Sequence, residues 1–457
     1  MSDGETYIAV FLTSFRRKHE AEPEFIQSVE ELVNSLGQLL DARPDLRSAG
    51  VLERITEPER SIQFRVTWVA DDGSVHVNRG YRVQFSSVLG PYKGGLRFHP
   101  SVNLSILQFL GFEQIFKNSL TGLWLGGGKG GSDFDPKDKS DAEIMRFCQA
   151  FITELANYIG PDTDIPAGDI GVGSREIGYL FGWYKKLANE FHGSLTGKGT
   201  DWGGSNLRPE ATGYGLLYFV DAMLRHRGDS MTGKSVVISG SGNVAQYAAQ
   251  KAIEFGAKVL TMSDSNGYII DNVGIDDAKL ATILRIKNND RGRIKQYLDF
   301  YPDAEYHEDS RPWKVAADIY LPCATQNEIE LTDAQAMVAN KPLLVAEGAN
   351  MPTTPEAVAA LQAAGILFAP AKASNAGGVA VSGLEMAQNS MRTAWTLEVV
   401  DDRLKEIMQN IHDKCAKHGA SNSKYSSNTG SDIDYVSGAN ISGFLRVADA
   451  MLSQGIF

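Results

Sequence analysis

Three lysines stand among small residues in the first half of this 457-residue chain. They are Lys93 in Gly90-Pro-Tyr-Lys-Gly-Gly95, Lys117 in Glu113-Gln-Ile-Phe-Lys-Asn118 and Lys129 in Gly126-Gly-Gly-Lys-Gly-Gly131. Backbone packed around an ammonium excludes water and disfavours its charge, so its pKa falls. Bringing a lysine from about 10.4 toward 7–8 takes about 4 kcal/mol of lost solvation and yields a general base near neutral pH. Neighbouring lysines that keep their charge can hold carboxylates. The plain alternative for each is a surface lysine. The Gly126–Gly131 run is not a P-loop, because Leu123 stands where the first glycine belongs and Gly130 where Ser or Thr would bind magnesium. Asp169, in Pro166-Ala-Gly-Asp-Ile-Gly-Val172, precedes a helix expected from Ser174. It can shuttle protons there or simply serve a turn. The histidines show no ligand spacing and there is no Gly-x-Ser-x-Gly elbow, so neither a metal site nor a serine nucleophile is expected.

A second constellation reads G-x-G-x-x-A, at Gly240-Ser241-Gly242-Asn243-Val244-Ala245. It follows an expected strand and opens an expected helix, and Asp264 ends the next strand 24 residues after Gly240. The first glycine permits the turn, the second admits a pyrophosphate, and the helix N-terminus favours its charge. Asp264 usually means a ribose diol and NAD. Ser263 and Ser265 flank it, however, and Lys287, Arg291 and Arg293 follow one helix later. Those cations fit either a 2′-phosphate, and therefore NADP, or a solvated helix face.

Elements must position these groups. Phe25, Val29, Leu32, Val33, Leu36 and Leu40 recur at helical spacing over Glu22–Leu40. Ile62 to Trp68 and Val75 to Phe85 alternate about an Asp71-Asp72-Gly73 turn, which predicts a β-meander with one buried face. Helices are expected over Leu104–Ser119 and Ala142–Ile159. From Lys234 short apolar strands (Ser235–Ser239, Lys258–Met262, Asp318–Leu321, Leu343–Ala346, Ile366–Ala369) alternate with helices, implying a parallel, doubly wound sheet. A long helix is expected over Gly383–His418, then a surface connection at Ser421–Ser431 and an amphipathic last segment that returns to the first domain.

Composition narrows the class. Gly90 to Gly215 holds 23 of the 46 glycines with no G-x-y period, which excludes a collagen rod or flexible linker. Three scattered cysteines, no bilayer-length apolar run and an N-terminus with acids before its apolar patch point to a cytoplasmic protein. The net charge of −12 disfavours nucleic acid.

Five segments together resemble glutamate dehydrogenase, of the short, NADP-linked, hexameric type. They are Gly90–Asn103, Gly126–Pro136, Pro166–Val172, Arg208-Pro-Glu-Ala-Thr-Gly-Tyr-Gly215 and Asn375-Ala-Gly-Gly378. One departure is Trp124-Leu125, where the family commonly carries Pro-Met. The resemblance implies reversible conversion of L-glutamate, water and NADP⁺ to 2-oxoglutarate, ammonium and NADPH. In it Lys129 matches the catalytic lysine and Asp169 the proton-relaying acid. Lys117 with Gln114 would hold the α-carboxylate, and Lys93 with Ser382 the γ-carboxylate. Arg208 and Thr212 match positions at the nicotinamide side, with Arg208 also meeting substrate. Gly240, Ser241, Gly242, Asn243, Val244, Asn350 and Asn375 would line the dinucleotide, and Ser263, Asp264, Ser265, Lys287 and Arg293 its 2′-phosphate end. The implied architecture is α/β, in three parts. A mixed substrate-binding and oligomerisation domain spans 1–203, a Rossmann-like dinucleotide-binding domain spans 204–432, and a C-terminal helix, 433–457, packs back on the first. A related dehydrogenase for an apolar amino acid and a non-catalytic dinucleotide sensor are the rivals. Lys93 argues against the first, since an apolar pocket would strand its charge, and Lys129 with Asp169 argue against the second.

Overall fold

Alternation of apolar and polar residues produces β1 (Arg60–Val69) and β2 (Val75–Ser86), paired antiparallel with Phe64 opposite Gly80. The computed structural model describes residues 2–420 and 433–456, so the expected connection Ser421–Ser431 lies outside the described residues. The chain divides into two units. Unit 1 comprises the chain up to Arg208, Val379–Val400 and the segment from Asn440 on, and unit 2 comprises Pro209–Gly378 and Asp401–Ala439.

In unit 1 the sheet order is β1-β2-β4-β3-β5, with β3 Tyr92–Phe98, β4 Gly127–Ser132 and β5 Asp164–Gly168. Strand β4 runs antiparallel to β2, and β3 runs parallel to both β4 and β5. The expected meander is therefore only a hairpin, because β4 takes the third place. The expected single buried face also fails. From Gly80 onward β2 is buried on both faces, so Arg82 and Gln84, which alternate with Tyr81, Val83 and Phe85, are fully enclosed. The Glu22–Leu40 pattern forms two helices, Pro23–Val33 and Gly37–Ala42. Ser35 and Leu36 bond three residues back and tighten the chain there, while all six apolar side chains stay fully buried. The first residues form a helix, Asp3–Lys18, held at its start by a Ser2–Glu5 capping box. At the other end of the chain, the helix Tyr435–Gln454 is fastened within unit 1 from Asn440 on. Arg446 donates to the carbonyls of Ser119, Gly122 and Leu123, and Ser119 donates to that of Gly443.

Unit 2 carries seven strands in the order β12-β11-β10-β6-β7-β8-β9. The strands are β6 Ser235–Ile238, β7 Lys258–Asp264, β8 Gly267–Ile275, β9 Glu305–Glu308, β10 Ile319–Leu321, β11 Leu344–Ala346 and β12 Leu367–Ala369. Strands β6, β7, β10, β11 and β12 are parallel, as expected, and all but β7 are almost wholly apolar because both faces are covered. Strands β8 and β9 correct the all-parallel expectation. A tight turn after Asp264 folds the chain back as an antiparallel extension. The expected Gly383–His418 helix is two, Gly377–Met391 and Leu397–Ala420, separated where Arg392 takes φ +52°.

Candidate active site

The glycine run at Lys129 makes a strand, not a loop. β4 crosses the middle of its sheet with Lys129 opposite Val83. The helix Leu104–Leu120, capped by the Asn103 side chain accepting from the amide of Ile106, packs directly on that bare strand. A methyl at Gly127 would stand 2.5 Å from Ile115 Cγ1, so only glycine lets the helix come so near. The helix carries Gln114 and Lys117. On β3, Lys93, Gly95 and Arg97 alternate onto one face. A Cβ at Gly95 would lie 2.9 Å from Asp169 Cβ and 2.7 Å from the Gly168 carbonyl, so the bare position seats Asp169. Lys129 Nζ meets Asp169 Oδ2 at 3.0 Å, and Arg97 Nε donates to the same oxygen at 2.9 Å.

Burial dominates the titration of these groups. It lowers the Lys129 pKa against the opposing pull of Asp169, with Arg97 adding to the depression. Burial works to raise the Asp169 carboxyl, but Lys129 and Arg97 outweigh it and hold the carboxyl below its usual range. Lys117 is lowered to about 8 by burial and by the charge on Lys129. Lys93 is pushed well below the lysine range by burial, then by Arg82 and Arg208. Among the described residues Lys93 forms no ion pair. The carboxylates that act on it are committed elsewhere. Asp164 is held by both arms of the buried Arg82 guanidinium, with Arg82 Nε at 2.9 Å and Gln84 Nε2 at 3.0 Å from its Oδ2. Glu385 accepts from Lys198 Nζ at 2.6 Å and the Gly197 amide at 2.9 Å. Ser382 is buried one turn before Glu385 on the helix Gly377–Met391. Gln114 donates to Asn118 (2.7 Å), which donates in turn to the Lys93 carbonyl (3.0 Å). Burial lowers the Arg208 pKa, and its Nε is buried without a partner. Trp124 is 83% exposed, while Leu125 is buried against Gly383, beside Ser382.

Sequence reasoning missed Arg82, Asp164, Arg97, Lys198 and Glu385. Arg82 lies at an alternate position on a strand read as having one wet face, and its partner is 82 residues away. A polar residue on the apolar-flanked half of β2 was the only signal available.

In unit 2, β6 ends at Ile238 and the chain then turns at Gly240, whose φ is +85°. Gly240 and Ser263 clasp each other: the Gly240 amide donates to Ser263 Oγ (2.7 Å) and the Ser263 amide to the Gly240 carbonyl (3.0 Å). The helix Asn243–Glu254 begins after Gly242 with no side-chain cap, and nothing lies within 4 Å of where a Gly242 Cβ would be. Its first amides thus face an open space fit for an anion. Asn243 donates to the Pro209 carbonyl at 2.6 Å. Asp264 is spent on the protein itself, accepting from the amides of Asn266 (3.0 Å) and Ile294 (2.9 Å), with Lys287 Nζ at 3.4 Å. Arg293 Nη1 donates to the exposed Ser265 Oγ at 2.8 Å. Asn375 donates to the carbonyls of Gly348 and Ala349 and to Asn350 Oδ1, while its own Oδ1 is buried without a partner. Thr212 is the second residue of the helix Ala211–His226, and Val244 the second of Asn243–Glu254. Among the described residues no group of three or more His, Cys, Asp or Glu is placed to hold a metal. None of their helices is long and apolar enough to cross a membrane.

A fold carrying buried lysines on one sheet and a glycine turn before a helix on another defines a class. The family model described as Glutamate/Leucine/Phenylalanine/Valine dehydrogenase matches residues 203–455, and that of the Glu/Leu/Phe/Val dehydrogenase dimerisation domain matches 58–186. The chain belongs to this family. It is 59% identical over 447 residues to an NADP-specific glutamate dehydrogenase of Haemophilus influenzae, covering 98% of each chain. It is 55% identical to that of Escherichia coli, covering 99% of each. A solved glutamate dehydrogenase of Plasmodium falciparum superposes with a TM-score of 0.96 at 51% identity, over 99% of this chain and 96% of that one.

Proposed function

We propose that this chain catalyses the reversible oxidative deamination of L-glutamate to 2-oxoglutarate and ammonium with NADP(H). The observation that carries the substrate assignment is Lys93, a buried ammonium with no carboxylate of its own. An apolar amino acid would leave that charge stranded, whereas a γ-carboxylate completes it. Lys93 and Ser382 take the γ-carboxylate, Lys117 and Gln114 take the α-carboxylate, and Arg208 supplies a further donor to substrate. NADP⁺ supplies the acceptor for the hydride that leaves Cα. The resulting iminium carbon is attacked by water as Lys129 Nζ takes a water proton, a role that its lowered pKa favours. Asp169, in contact with Lys129, carries a proton to the nitrogen. The C–N bond then breaks, the hydroxyl gives up its proton, and ammonia leaves the 2-oxo acid.

The chain's own residues fit NADP. Gly240, Ser241, Gly242, Asn243 and Val244 form the pyrophosphate turn, with Thr212, Asn350 and Asn375 serving the nicotinamide half. The unpartnered Asn375 Oδ1 can accept from a carboxamide. Because Asp264 is engaged with backbone amides, it supports the strand turn rather than a ribose diol. Ser265, Lys287 and Arg293 then offer a hydroxyl and two cations to a 2′-phosphate. Residues 1–203 act as the substrate-binding and oligomerisation domain, 204–432 as the dinucleotide-binding domain, and 433–457 as the helix returning to the first. The dimerisation-domain match supports self-association. We infer a cytoplasmic homohexamer, which light scattering tests as six copies of a 49.7 kDa chain.

One assay tests the reaction: oxidation of NADPH against NADH with 2-oxoglutarate and ammonium. Fast turnover with NADPH is expected. A clear preference for NADH overturns the cofactor assignment, and turnover only with an apolar 2-oxo acid overturns the substrate assignment.

A further inference from the structure

Lys287 sits in an unusual piece of chain. Residues Arg285–Asn289 form a π-turn at the end of the helix Asp277–Leu284, closed by the Asp290 amide on the Arg285 carbonyl. Such a turn is wider than α-helix and persists where it aims a functional side chain. Arg291 follows with φ +51°, and then Arg293 reaches Ser265. Besides its bonds to Asp264 and Ser265, this arm is tied directly to the helix that follows the glycine turn by an amide pair. Gln246 Nε2 donates to Asn288 Oδ1 at 3.0 Å, and Asn288 Nδ2 donates back to Gln246 Oε1 at 3.1 Å. The same Gln246 Nε2 also donates to the Ser241 carbonyl at 2.8 Å. Gln246 is buried, so its amide has little recourse to water if the pair is broken. One side chain thus grips both the loop at Gly240–Gly242 and the turn that carries Lys287.

We propose that Gln246 and Asn288 are positioning residues for cofactor choice: their paired amides fix the π-turn so that Lys287 meets the 2′-phosphate. The inference rests on the NADP reading above. Two loosely connected loops could each bind their own phosphate, but the spacing between them would vary. The reciprocal pair joins the bonds of Ile294, Lys287 and Arg293 to Asp264 and Ser265 in holding that spacing, and only a ligand with both a 5′ and a 2′ phosphate uses it fully.

The test is calorimetric binding of adenosine 2′,5′-bisphosphate and of 5′-AMP to the full-length protein. The parent chain should prefer the bisphosphate; equal affinities there would remove the NADP reading and this inference with it. With the parent preference present, Asn288→Ala should weaken bisphosphate binding by about tenfold, the worth of one misplaced charge-assisted contact. Binding of 5′-AMP should change far less, and the preference for NADPH over NADH should fall in step. Asn288 is exposed, so this variant should fold. Gln246→Leu provides a second arm and should lower the same ratio. Equal losses for both ligands, or an unchanged ratio in a folded variant, overturn the proposal.

Discussion

The glycines of the two units solve opposite problems. In unit 1, a Cβ at Gly95 or Gly127 would collide with the protein's own atoms, at 2.7 and 2.5 Å. Those positions are bare so that strand, helix and the Asp169 loop can close around lysines and dry them. In unit 2, a Cβ at Gly242 would meet nothing within 4 Å. That position opens on free space, which the proposed reading gives to the pyrophosphate. Crowding is what turns a lysine into a base, whereas openness at a helix N-terminus is what admits a phosphate.

The largest effect expected from this contrast is at Lys129. Lys129→Ala should lower kcat by about 10²–10⁴-fold, the usual worth of a positioned general base, while NADPH binding by fluorescence titration stays near that of the parent. Substantial remaining turnover would take the base away from the crowded unit. Next come the glycines themselves. Gly95→Ala should cost about 1–3 kcal/mol of stability in thermal melts, because backbone and Asp169 must shift. Gly242→Ala should leave the melting temperature unchanged but weaken NADPH binding. If Gly95→Ala melts like the parent, the crowding argument fails.

Lys93→Leu sharpens the comparison within unit 1. It should lower glutamate kcat/KM at least tenfold, about 1.4 kcal/mol, and improve turnover of apolar amino acids. It should also raise the melting temperature of the ligand-free protein, since leucine does not carry the desolvation cost that pushes Lys93 below the lysine range. Unchanged glutamate kinetics would reject the γ-carboxylate role. The smallest effect concerns pH. Lys117, lowered to about 8, is cationic below that value and neutral above it. KM for 2-oxoglutarate should therefore rise several-fold as pH climbs past about 8. Over the same range kcat for glutamate oxidation should not fall, because higher pH favours the neutral form of Lys129 that accepts the water proton. A KM flat across that range would separate Lys117 from carboxylate binding.

Most of the proposed chemistry rests on short segments. The G-x-G-x-x-A turn, the lysines set among glycines and Asp169 in its loop are local patterns whose physical meaning needs few neighbours. The apolar parallel strands were legible too, since burial on both faces leaves an unbroken apolar run. What escaped was non-local. Arg82 and Asp164, or Lys198 and Glu385, cannot be matched from alternation or spacing, because each partner lies on an element distant in sequence. The same holds for Arg97, which reads as one more strand cation until Asp169 is placed against it. Element ends escaped for a related reason: the breaks at Asn34–Leu36 and Arg392 are made by turns inside otherwise periodic runs.

By itself, then, the amino-acid order determined which side chains could act and on what kind of substrate, because residue type and local backbone freedom are properties of the chain. Only the tertiary structure decided which of them are dry, which are paired and which have no ion partner among the described residues. Lys93 without a carboxylate, Asp169 shared by Lys129 and Arg97, and Asp264 turned to backbone amides all depend on which distant groups reach each charge. Solvation and pairing are set by the whole packed environment, and no stretch of sequence contains that environment.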